Sequence, residues 1–252
     1  MPDIELQGEG RLAIVTIENA GKFNAMTRAM WRQLRAVFED IQKGAARCVL
    51  LRGADGHFCA GGDIAEYPAF RFAEASLREF HEDEVWGGLH AMLECEVPIV
   101  AAIEGNCMGA GVEMACCCDI RIAAQDARFG APIAKLGFPM APREMQLVQR
   151  AAGDAVVREM LLAAAVLPAA RVHALGFVQR LVPPAQVQAG ARELAERIAQ
   201  LAPQAARLNK RTLREVAASA QALDTSGAYD WAASSEHREG IQAFLQKRTP
   251  HF

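Results

Sequence analysis

The sequence predicts an α/β fold in which a mixed core is followed by a helical C-terminal third. In the first half, short segments rich in β-branched residues alternate with stretches whose apolar residues recur at helical spacing. From about residue 142 the helical spacing dominates, and glycine and proline residues interrupt it at intervals. Apolar residues make up 52% of the 252 residues, which is enough to form a sizeable core.

Four strands and one helix are predicted in the first half. The strands cover 11–19, 47–53, 98–105 and 119–124, and a long loop over 54–62 follows the second of them. The helix is expected to begin after the turn at Ala20 and Gly21, with Thr27 as its N-cap. Its apolar positions share one face, namely Trp31, Leu34, Phe38 and Ile41.

Helices are expected from about residue 142 onward. Breaks are predicted at Gly153, Pro168, Gly176, Pro183, Pro184 and Pro203. Between 185 and 201, Leu194, Ile198 and Leu201 recur at helical spacing. No long Gly/Ser-rich or charged linker interrupts the sequence, so a continuous core with a helical end is favoured over independent domains.

The net charge and the cysteine content limit which partners and which kinds of site are expected. A net charge of −3 gives no electrostatic footprint for nucleic acid or for an anionic membrane, so a small-molecule partner is expected. The acidic N-terminus does not resemble a signal peptide, which predicts a cytoplasmic protein. Seven cysteines without C-x-x-C pairs argue against disulfides and against a metal site, and favour small apolar core residues.

The segment GNCMGAGVEM, residues 105–114, is the most informative one in the chain. A glycine-rich turn leads there into a helix whose first turn carries Glu113. Backbone N–H groups at a helix start have no intrahelical acceptor, so an oxyanion near Ala110 would be stabilised beside a carboxylate. The alternative is a turn that only connects a strand to a helix. The segment matches neither a Walker A loop nor the dinucleotide fingerprint.

Three further segments join the glycine turn in one pattern. They are HFCAGGDI at 57–64, ARFGAPIAKLG at 127–137 and EGIQAFLQKRTPHF at 239–252. In order and spacing, the four segments resemble the signature stretches of the enoyl-CoA hydratase/isomerase family, the crotonase-like enzymes.

This resemblance implies a crotonase-like spiral of repeated ββα units with a helical C-terminal trimerisation region. The implied division is a spiral core over 1–195 and a C-terminal helical region over 196–252, which forms trimers or hexamers and covers the active site. The implied substrate is an acyl-CoA thioester. Coenzyme A is then part of the substrate, and no separate cofactor is expected.

The resemblance also assigns site residues. The two N–H groups of the family's oxyanion hole correspond to Gly62 and Ala110, and backbone donors at such positions stabilise charge that develops during the reaction. Residues implied in coenzyme A binding are Lys22, Ala60, Gly61, Asp63, Ile64, Phe244 and Lys247. For the two lysines, the alternative is a solvated surface position.

The chain departs from the family pattern at the second glutamate of the hydratases. Glu113 matches the first glutamate, whereas Ile133 occupies the position of the second. Hydration uses two carboxylates, so a single one leaves standard hydratase activity in question. An apolar residue at this position is also expected to raise the pKa of Glu113.

Another departure follows at Ala141 to Glu144. Glu144 could restore a second carboxylate from a shifted position, with Arg143 pairing with it or with an acidic acyl group. The favoured alternative is that Pro142 begins a helix whose first turn carries Glu144 for its dipole.

The function predicted from these residues is an acyl-CoA enzyme of the hydratase/isomerase type, with Glu113 as the acid/base group. Double-bond isomerisation, which needs one proton shuttle, is the nearest alternative, followed by thioester hydrolysis and decarboxylation. A non-catalytic acyl-CoA binding protein is the alternative of another class. A nucleophilic Cys59 assisted by His57 is disfavoured against a packed cysteine.

Overall fold

The computed structural model describes residues 2–218 and 234–252, apart from the side chains of Ala218 and Phe244. Nine strands lie in these two ranges: β1 Asp3–Glu9, β2 Leu12–Glu18, β3 Cys48–Gly53, β4 Ile99–Ile103, β5 Asn106–Met108, β6 Ile120–Ala124, β7 Arg128–Gly130, β8 Val166–Pro168 and β9 Arg180–Val182. They form a six-stranded sheet in the order β1-β2-β3-β4-β6-β9 and a three-stranded sheet in the order β5-β7-β8.

Ten α-helices surround the sheets in the same ranges: α1 Arg28–Lys43, α2 Glu74–Glu79, α3 Trp86–Glu94, α4 Ala110–Cys117, α5 Pro142–Ala152, α6 Asp154–Leu162, α7 Ala169–Ala174, α8 Val187–Ala199, α9 Pro203–Ala218 and α10 Ser235–Leu245. A π-helical turn, Phe80–Val85, joins α2 to α3, and short 3-10 turns cover Ile64–Ala69 and Ile133–Leu136. None of the helices in the described ranges combines the length and apolar character needed to cross a lipid bilayer.

The four predicted strands are confirmed as β2, β3, β4 and β6, each slightly shorter than predicted. They pair in parallel and are buried on both faces, which explains their nearly continuous apolar sequences. The sequence analysis did not predict β1, an antiparallel edge strand that is exposed at most of its positions. β1 was not predicted because most of its residues are polar and its sequence lacks the run of apolar residues that indicates a buried strand.

The helix predicted after Thr27 is confirmed as α1. The Thr27 hydroxyl accepts a hydrogen bond from the Met30 N–H at 3.2 Å, as an N-cap does. All four apolar positions predicted for its inner face are buried, namely Trp31, Leu34, Phe38 and Ile41. This face packs against α3 and the sheet, which fixes α1 beside the loop that carries Gly62.

The prediction of helices throughout the C-terminal third is wrong at two places. β8 joins the small sheet through β7, and β9 extends the large sheet beside β6. Each has three residues, too few for an alternating pattern to stand out from its helical neighbours. The boundary predicted between residues 195 and 196 falls inside α8, and residues 219–233 of the predicted C-terminal region lie outside the described residues. The division into these two parts therefore stays a prediction.

The strand-strand-helix unit β4, β5 and α4 positions the glycine-rich turn. β4 belongs to the large sheet and β5 to the small one, so the chain changes sheets at Gly105 and enters α4 after Gly109. Both glycines have positive φ values, 51° and 46°, which glycine adopts without a Cβ clash. A residue with a side chain would be strained at either position.

Candidate active site

A cavity of about 310 Å³ opens between three segments of the chain. One wall is the turn from Met108 into α4, a second is the loop 60–64, and a third is the segment 132–144. Four positions singled out from the sequence line this cavity together: Gly62, Ala110, Glu113 and Ile133. Glu144, which the sequence left as an alternative, also lines it.

The first two walls are joined by backbone hydrogen bonds. The Cys59 N–H donates to the Asn106 carbonyl and the Met108 N–H donates to the Cys59 carbonyl, each at 2.8 Å. Cys59 and Cys107 thereby form a parallel bridge, and Gly62 and Ala110 each lie three residues beyond it. The two segments are held in register, so that Gly62 and Ala110 reach the same cavity.

The N–H groups of Gly62 and Ala110 have no acceptor within the part of the chain that the structure describes. The neighbouring groups around Gly62 are engaged, since the Asp63 N–H donates to the Met26 carbonyl at 2.8 Å and the Gly61 N–H to the Cys59 sulfur at 3.4 Å. Ala110 is the first residue of α4, where N–H groups lack intrahelical acceptors. Two unpaired donors at the cavity surface can bind a carbonyl oxygen or an oxyanion.

Glu113 lies one helical turn beyond Ala110 and is 7% exposed. Burial raises the pKa of Glu113 well above its usual value, and the negative charge of Glu144 raises it further. The cause differs in part from the sequence prediction, which named only the apolar residue at 133. A raised pKa favours the protonated form of Glu113, and this form can deliver a proton to a substrate in the cavity.

Glu144 is the second carboxyl group in the cavity. Pro142 begins α5 and Glu144 lies in its first turn, as the favoured sequence interpretation predicted, and Glu144 is also buried and lines the cavity. His81 Nδ1 lies 2.7 Å from Glu144 Oε1, and donates to it when the ring proton is on Nδ1. Glu144 thus belongs to the first turn of α5 and also provides a carboxyl group to the cavity.

Arg143 faces away from the cavity. Its Nε lies 3.2 Å from Glu82 Oε2, and its guanidinium lies 5.6 Å from the centre of the Trp86 ring. It lines a different groove, between α1 and α3. The sequence hypothesis that Arg143 pairs with Glu144 is therefore wrong.

Ile133 forms part of the wall opposite the glycine turn, as the first residue of a 3-10 turn. It packs against the hydrophobic core, so the cavity surface is apolar at this position, whereas Lys135 and Glu144 contribute polar groups to the same segment of the lining. The structure places one carboxyl on α4 and one on α5, and none at position 133.

Three further side chains, which no sequence motif had indicated, also line the cavity: Tyr67, Arg71 and His81. A Cβ built on Gly62 would lie 2.3 Å from the Tyr67 hydroxyl oxygen, so this hydroxyl lies directly against the main chain at Gly62. Tyr67 and Arg71 follow the loop 60–64 on and after a 3-10 turn, and His81 lies in a π-helical turn. Such short turns have no repeating pattern of apolar residues, so the sequence does not show which way these side chains point.

The residues implied in coenzyme A binding fall into three groups. Ala60, Gly61 and Ile64 line the cavity. Lys22 and Asp63 pair with each other, with Nζ 2.6 Å from Oδ2, and the other Asp63 oxygen caps the 3-10 turn by accepting from the Ala65 N–H at 3.2 Å.

The third group lies at the C-terminal end. Lys247 is exposed just after α10, while the Phe244 side chain lies outside the described residues. Their roles stay predictions.

All seven cysteines are buried and free, which confirms their predicted role in packing. Burial raises the pKa of Cys59 to about 12, so its thiolate is scarcely populated at neutral pH. His57 Nδ1 accepts from the Asn106 N–H at 3.2 Å and thus supports the backbone of the turn. These contacts agree with a packed Cys59 rather than a nucleophile.

Comparisons of sequence and fold relate the chain to known proteins. Residues 7–252 match the family model described as enoyl-CoA hydratase/isomerase. The chain is 30% identical over 257 residues to the 2,3-dehydroadipyl-CoA hydratase of Escherichia coli K12, covering 100% of this chain and 99% of the relative. It is 30% identical over 258 residues to the crotonyl-CoA hydratase of Syntrophomonas wolfei, covering 99% and 97%.

A solved structure from Magnetospirillum magneticum, described as an enoyl-CoA hydratase/carnithine racemase, matches with a TM-score of 0.95 and 34% identity. The match covers 100% of this chain and 96% of that one. The spiral α/β fold expected from the sequence resemblance is thereby confirmed.

Proposed function

Since the chain belongs to the enoyl-CoA hydratase/isomerase family and is an enzyme acting on acyl-CoA, we propose that it is a hydratase, which adds water across the 2,3 double bond of an enoyl-CoA thioester. The observation that carries this proposal is the presence of Glu144 beside Glu113 in one cavity with the free N–H groups of Gly62 and Ala110. Glu144 supplies a second carboxyl group, which residue 133 cannot provide because it is an isoleucine.

The two N–H groups bind the thioester oxygen. As water attacks Cβ, electron density moves from the double bond onto this oxygen, and the thioester becomes an enolate. Donors fixed by backbone geometry stabilise this charge more than the neutral thioester, so they lower the barrier as well as bind the substrate. By analogy with other oxyanion holes, one such donor contributes about 2.7–4 kcal/mol.

The two carboxyl groups divide the proton transfers. Glu144, oriented by His81, takes a proton from the attacking water, and the hydroxyl oxygen bonds to Cβ. Glu113, whose raised pKa favours its protonated form, gives its proton to Cα as the enolate collapses. One proton leaves water and one reaches Cα, so the product is the 3-hydroxyacyl-CoA, and a proton passing from Glu144 to Glu113 restores the free enzyme.

The Ile133 side chain lines the cavity and offers no hydrogen-bonding group to a water. Only a water that hydrogen-bonds to Glu144 is then held in position to attack. Double-bond isomerisation, the nearest alternative, would need a single shuttle and would leave the buried Glu144 and His81 pair without a chemical task.

Substrate binding and assembly complete the proposal. Ala60, Gly61 and Ile64 lie along the path of the pantetheine arm, while Lys22, Asp63, Phe244 and Lys247 act at the coenzyme A end. We further propose that the chain forms homotrimers or hexamers, that it needs no cofactor beyond the coenzyme A of its substrate, and that it works in the cytoplasm.

The test is a panel of purified variants against 2-enoyl-, 3-enoyl-, malonyl- and saturated acyl-CoA thioesters. Wild type should hydrate the 2-enoyl thioesters, and Glu113→Gln and Glu144→Gln should each lower kcat by about a hundredfold or more. Glu79→Gln, at an exposed carboxyl 61% accessible, serves as the matched control. Turnover of only the 3-enoyl thioester, with Glu144→Gln unaffected, would instead establish an isomerase. Binding of coenzyme A without turnover of any thioester would establish the non-catalytic alternative.

A further inference from the structure

The Arg71 guanidinium lies at the wall of the active-site cavity, held between two aromatic rings. Its Cζ is 3.7 Å from the centre of the Phe138 ring and 4.5 Å from that of Tyr67. The side chain is partly buried and lines the same cavity as Glu113 and Glu144. A cation–π contact on this scale fixes the orientation of the guanidinium plane.

In the described residues this guanidinium has no hydrogen-bond acceptor and no carboxylate within salt-bridge distance, although the negative charge of Glu144 acts on it from farther away. Two other partly buried arginines do have such partners, since Arg28 pairs with Glu84 and Arg214 donates to the Leu93 carbonyl. An exposed arginine without a protein partner is hydrated, but the rings around Arg71 limit its access to water. Burial accordingly lowers the pKa of Arg71, although a guanidinium stays charged in proteins.

The chemistry of the free N–H groups specifies the ligand. The aromatic rings contact the guanidinium, and its edge still carries N–H donors in a planar fork. Such a fork matches a carboxylate, which accepts two parallel hydrogen bonds. A purely alkyl acyl chain in this cavity would displace water from the cation without replacing its hydrogen bonds, which costs binding free energy.

Tyr67 relates Arg71 to the reacting end of the substrate. Arg71 covers the Tyr67 ring, and the hydroxyl of that ring lies against Gly62. Gly62 provides one of the two N–H groups proposed to bind the thioester oxygen. Arg71 is therefore one side chain away from the proposed position of the thioester, and it lines the same cavity as Glu113 and Glu144, the groups proposed to act on the acyl carbons.

We propose that Arg71 binds a carboxylate carried by the acyl group, so that the substrate is the coenzyme A thioester of an unsaturated dicarboxylic acid. This inference rests on the proposed hydratase function for its substrate class. It adds that the enzyme selects acyl chains by charge and not by length alone. A rival source of the same chemistry is a phosphate of coenzyme A, and the experiment separates the two.

Binding is measured by calorimetry with saturated thioesters, which the hydratase reaction does not consume. The pairs are glutaryl-CoA against pentanoyl-CoA and adipyl-CoA against hexanoyl-CoA, with free coenzyme A as the third ligand. Wild type should bind at least one dicarboxylic thioester about tenfold to a hundredfold more tightly than its partner of equal carbon number. Arg71→Met should remove this preference and leave the affinity for free coenzyme A unchanged.

Arg78→Met, at a 69% exposed arginine paired with Glu74, is the control and should keep the preference. Arg71→Lys retains the charge without the fork and should keep part of it, which gives a second reading if Arg71→Met unfolds. Equal affinities of wild type for both members of each pair would overturn the proposal. A loss of free coenzyme A affinity in Arg71→Met would also overturn it, in favour of a phosphate contact.

Measurements of turnover distinguish the carboxylate site at Arg71 from the hydratase function on which it rests. The matching 2-enoyl thioesters, with and without the distal carboxylate, are assayed with the same variants. Hydration of both without preference rejects the carboxylate site and keeps the hydratase function. Selective binding of the dicarboxylic thioesters without hydration rejects the hydratase function and keeps the carboxylate site.

Discussion

His81 Nδ1 and Glu144 Oε1 lie 2.7 Å apart, and their contact joins the π-helical turn Phe80–Val85 to the first turn of α5. The two side chains are only 17% and 5% exposed. Because little water reaches either group, each depends on the other for a hydrogen bond. Glu144 owes its direction in the cavity to a residue 63 positions earlier in the chain.

The first prediction concerns this contact. We expect His81→Leu to lower kcat for 2-enoyl-CoA hydration about tenfold to a hundredfold, since the charged hydrogen bond that orients Glu144 is lost. KM should change little, because His81 positions the carboxyl and is not expected to bind coenzyme A. His81→Gln can still donate and should retain more activity. Steady-state kinetics measure both constants, with the exposed His90→Leu as control.

A structural role alone would give a different result. In that case His81→Leu and His81→Gln would lose stability and activity in parallel, as followed by urea unfolding. The positioning role requires the two variants to differ in kcat at similar stability.

The second prediction is a dependence of stability on pH that arises from Glu113. Burial and the charge of Glu144 raise the pKa of Glu113 well above its ordinary value of 4.5. Below pH 4.5 the carboxyl is protonated in both the folded and unfolded states and carries no penalty. As the pH rises from there through the raised pKa, the unfolded state ionises first, and the folded state loses stability relative to it.

Glu113→Gln removes this titration. We therefore expect the variant to become more stable than wild type as the pH rises above 4.5, by at most about 1.4 kcal/mol per pH unit. Urea unfolding of both proteins over a pH series measures the difference. A difference that is independent of pH would mean that Glu113 titrates normally in the folded state.

Part of the candidate site was predictable because it rests on local backbone chemistry. The glycine turn, the helix start at Ala110 and the carboxylate of Glu113 have direct physical meaning, whereas Gly62 was assigned through the family resemblance. Thr27 and the inner face of α1 were predictable for the same reason, since a cap and a period of 3.6 are local signals.

Long-range contacts carried no such signal. Glu144 had a sufficient local explanation as a helix-start residue, so its second position in the cavity was only an alternative. Tyr67 and His81 reach the site through turns without a regular period. The three-residue strands β8 and β9 are formed by pairing with distant strands, and their own sequences are too short to predict them.

The third prediction uses the contact between Gly62 and Tyr67. Gly62 does not have a positive φ, so alanine is compatible with its backbone conformation. Its Cβ would nevertheless lie 2.3 Å from the Tyr67 hydroxyl oxygen and 3.2 Å from Cζ. We expect Gly62→Ala to displace the Tyr67 ring into the acyl cavity and to lower kcat/KM about tenfold or more.

The double variant Gly62→Ala with Tyr67→Phe tests the cause. Removing the hydroxyl removes the shortest contact, so the double variant should regain activity relative to Gly62→Ala alone. A double-mutant cycle in kcat/KM should give a coupling free energy of about 0.5–3 kcal/mol. Strictly additive losses would show that the alanine acts on the N–H group of residue 62 and not through Tyr67.

The fourth prediction concerns the support of the helix that carries Glu113. Arg121 is 7% exposed and donates Nη1 hydrogen bonds to the Ala115 carbonyl at 2.9 Å and the Cys118 carbonyl at 2.6 Å. These carbonyls lie at the C-terminal end of α4, where the helix lacks its own donors and favours a positive charge. Its guanidinium also lies 4.8 Å from the centre of the Phe177 ring.

Arg121→Met would remove the charged donor from both carbonyls and leave the Ala115 carbonyl with only the Cys118 N–H at 3.2 Å, so we expect a loss of about 2–4 kcal/mol in the free energy of unfolding. Arg121→Lys keeps the charge but cannot span both carbonyls and should lose less. The exposed Arg180→Met on β9 should change stability by no more than about 0.5 kcal/mol. Because α4 positions both the Ala110 N–H and Glu113, we expect Arg121→Met to lower kcat as well as stability. If the variant is less stable but its kcat is unchanged, the N-terminal turn of α4 is held by the cavity walls alone.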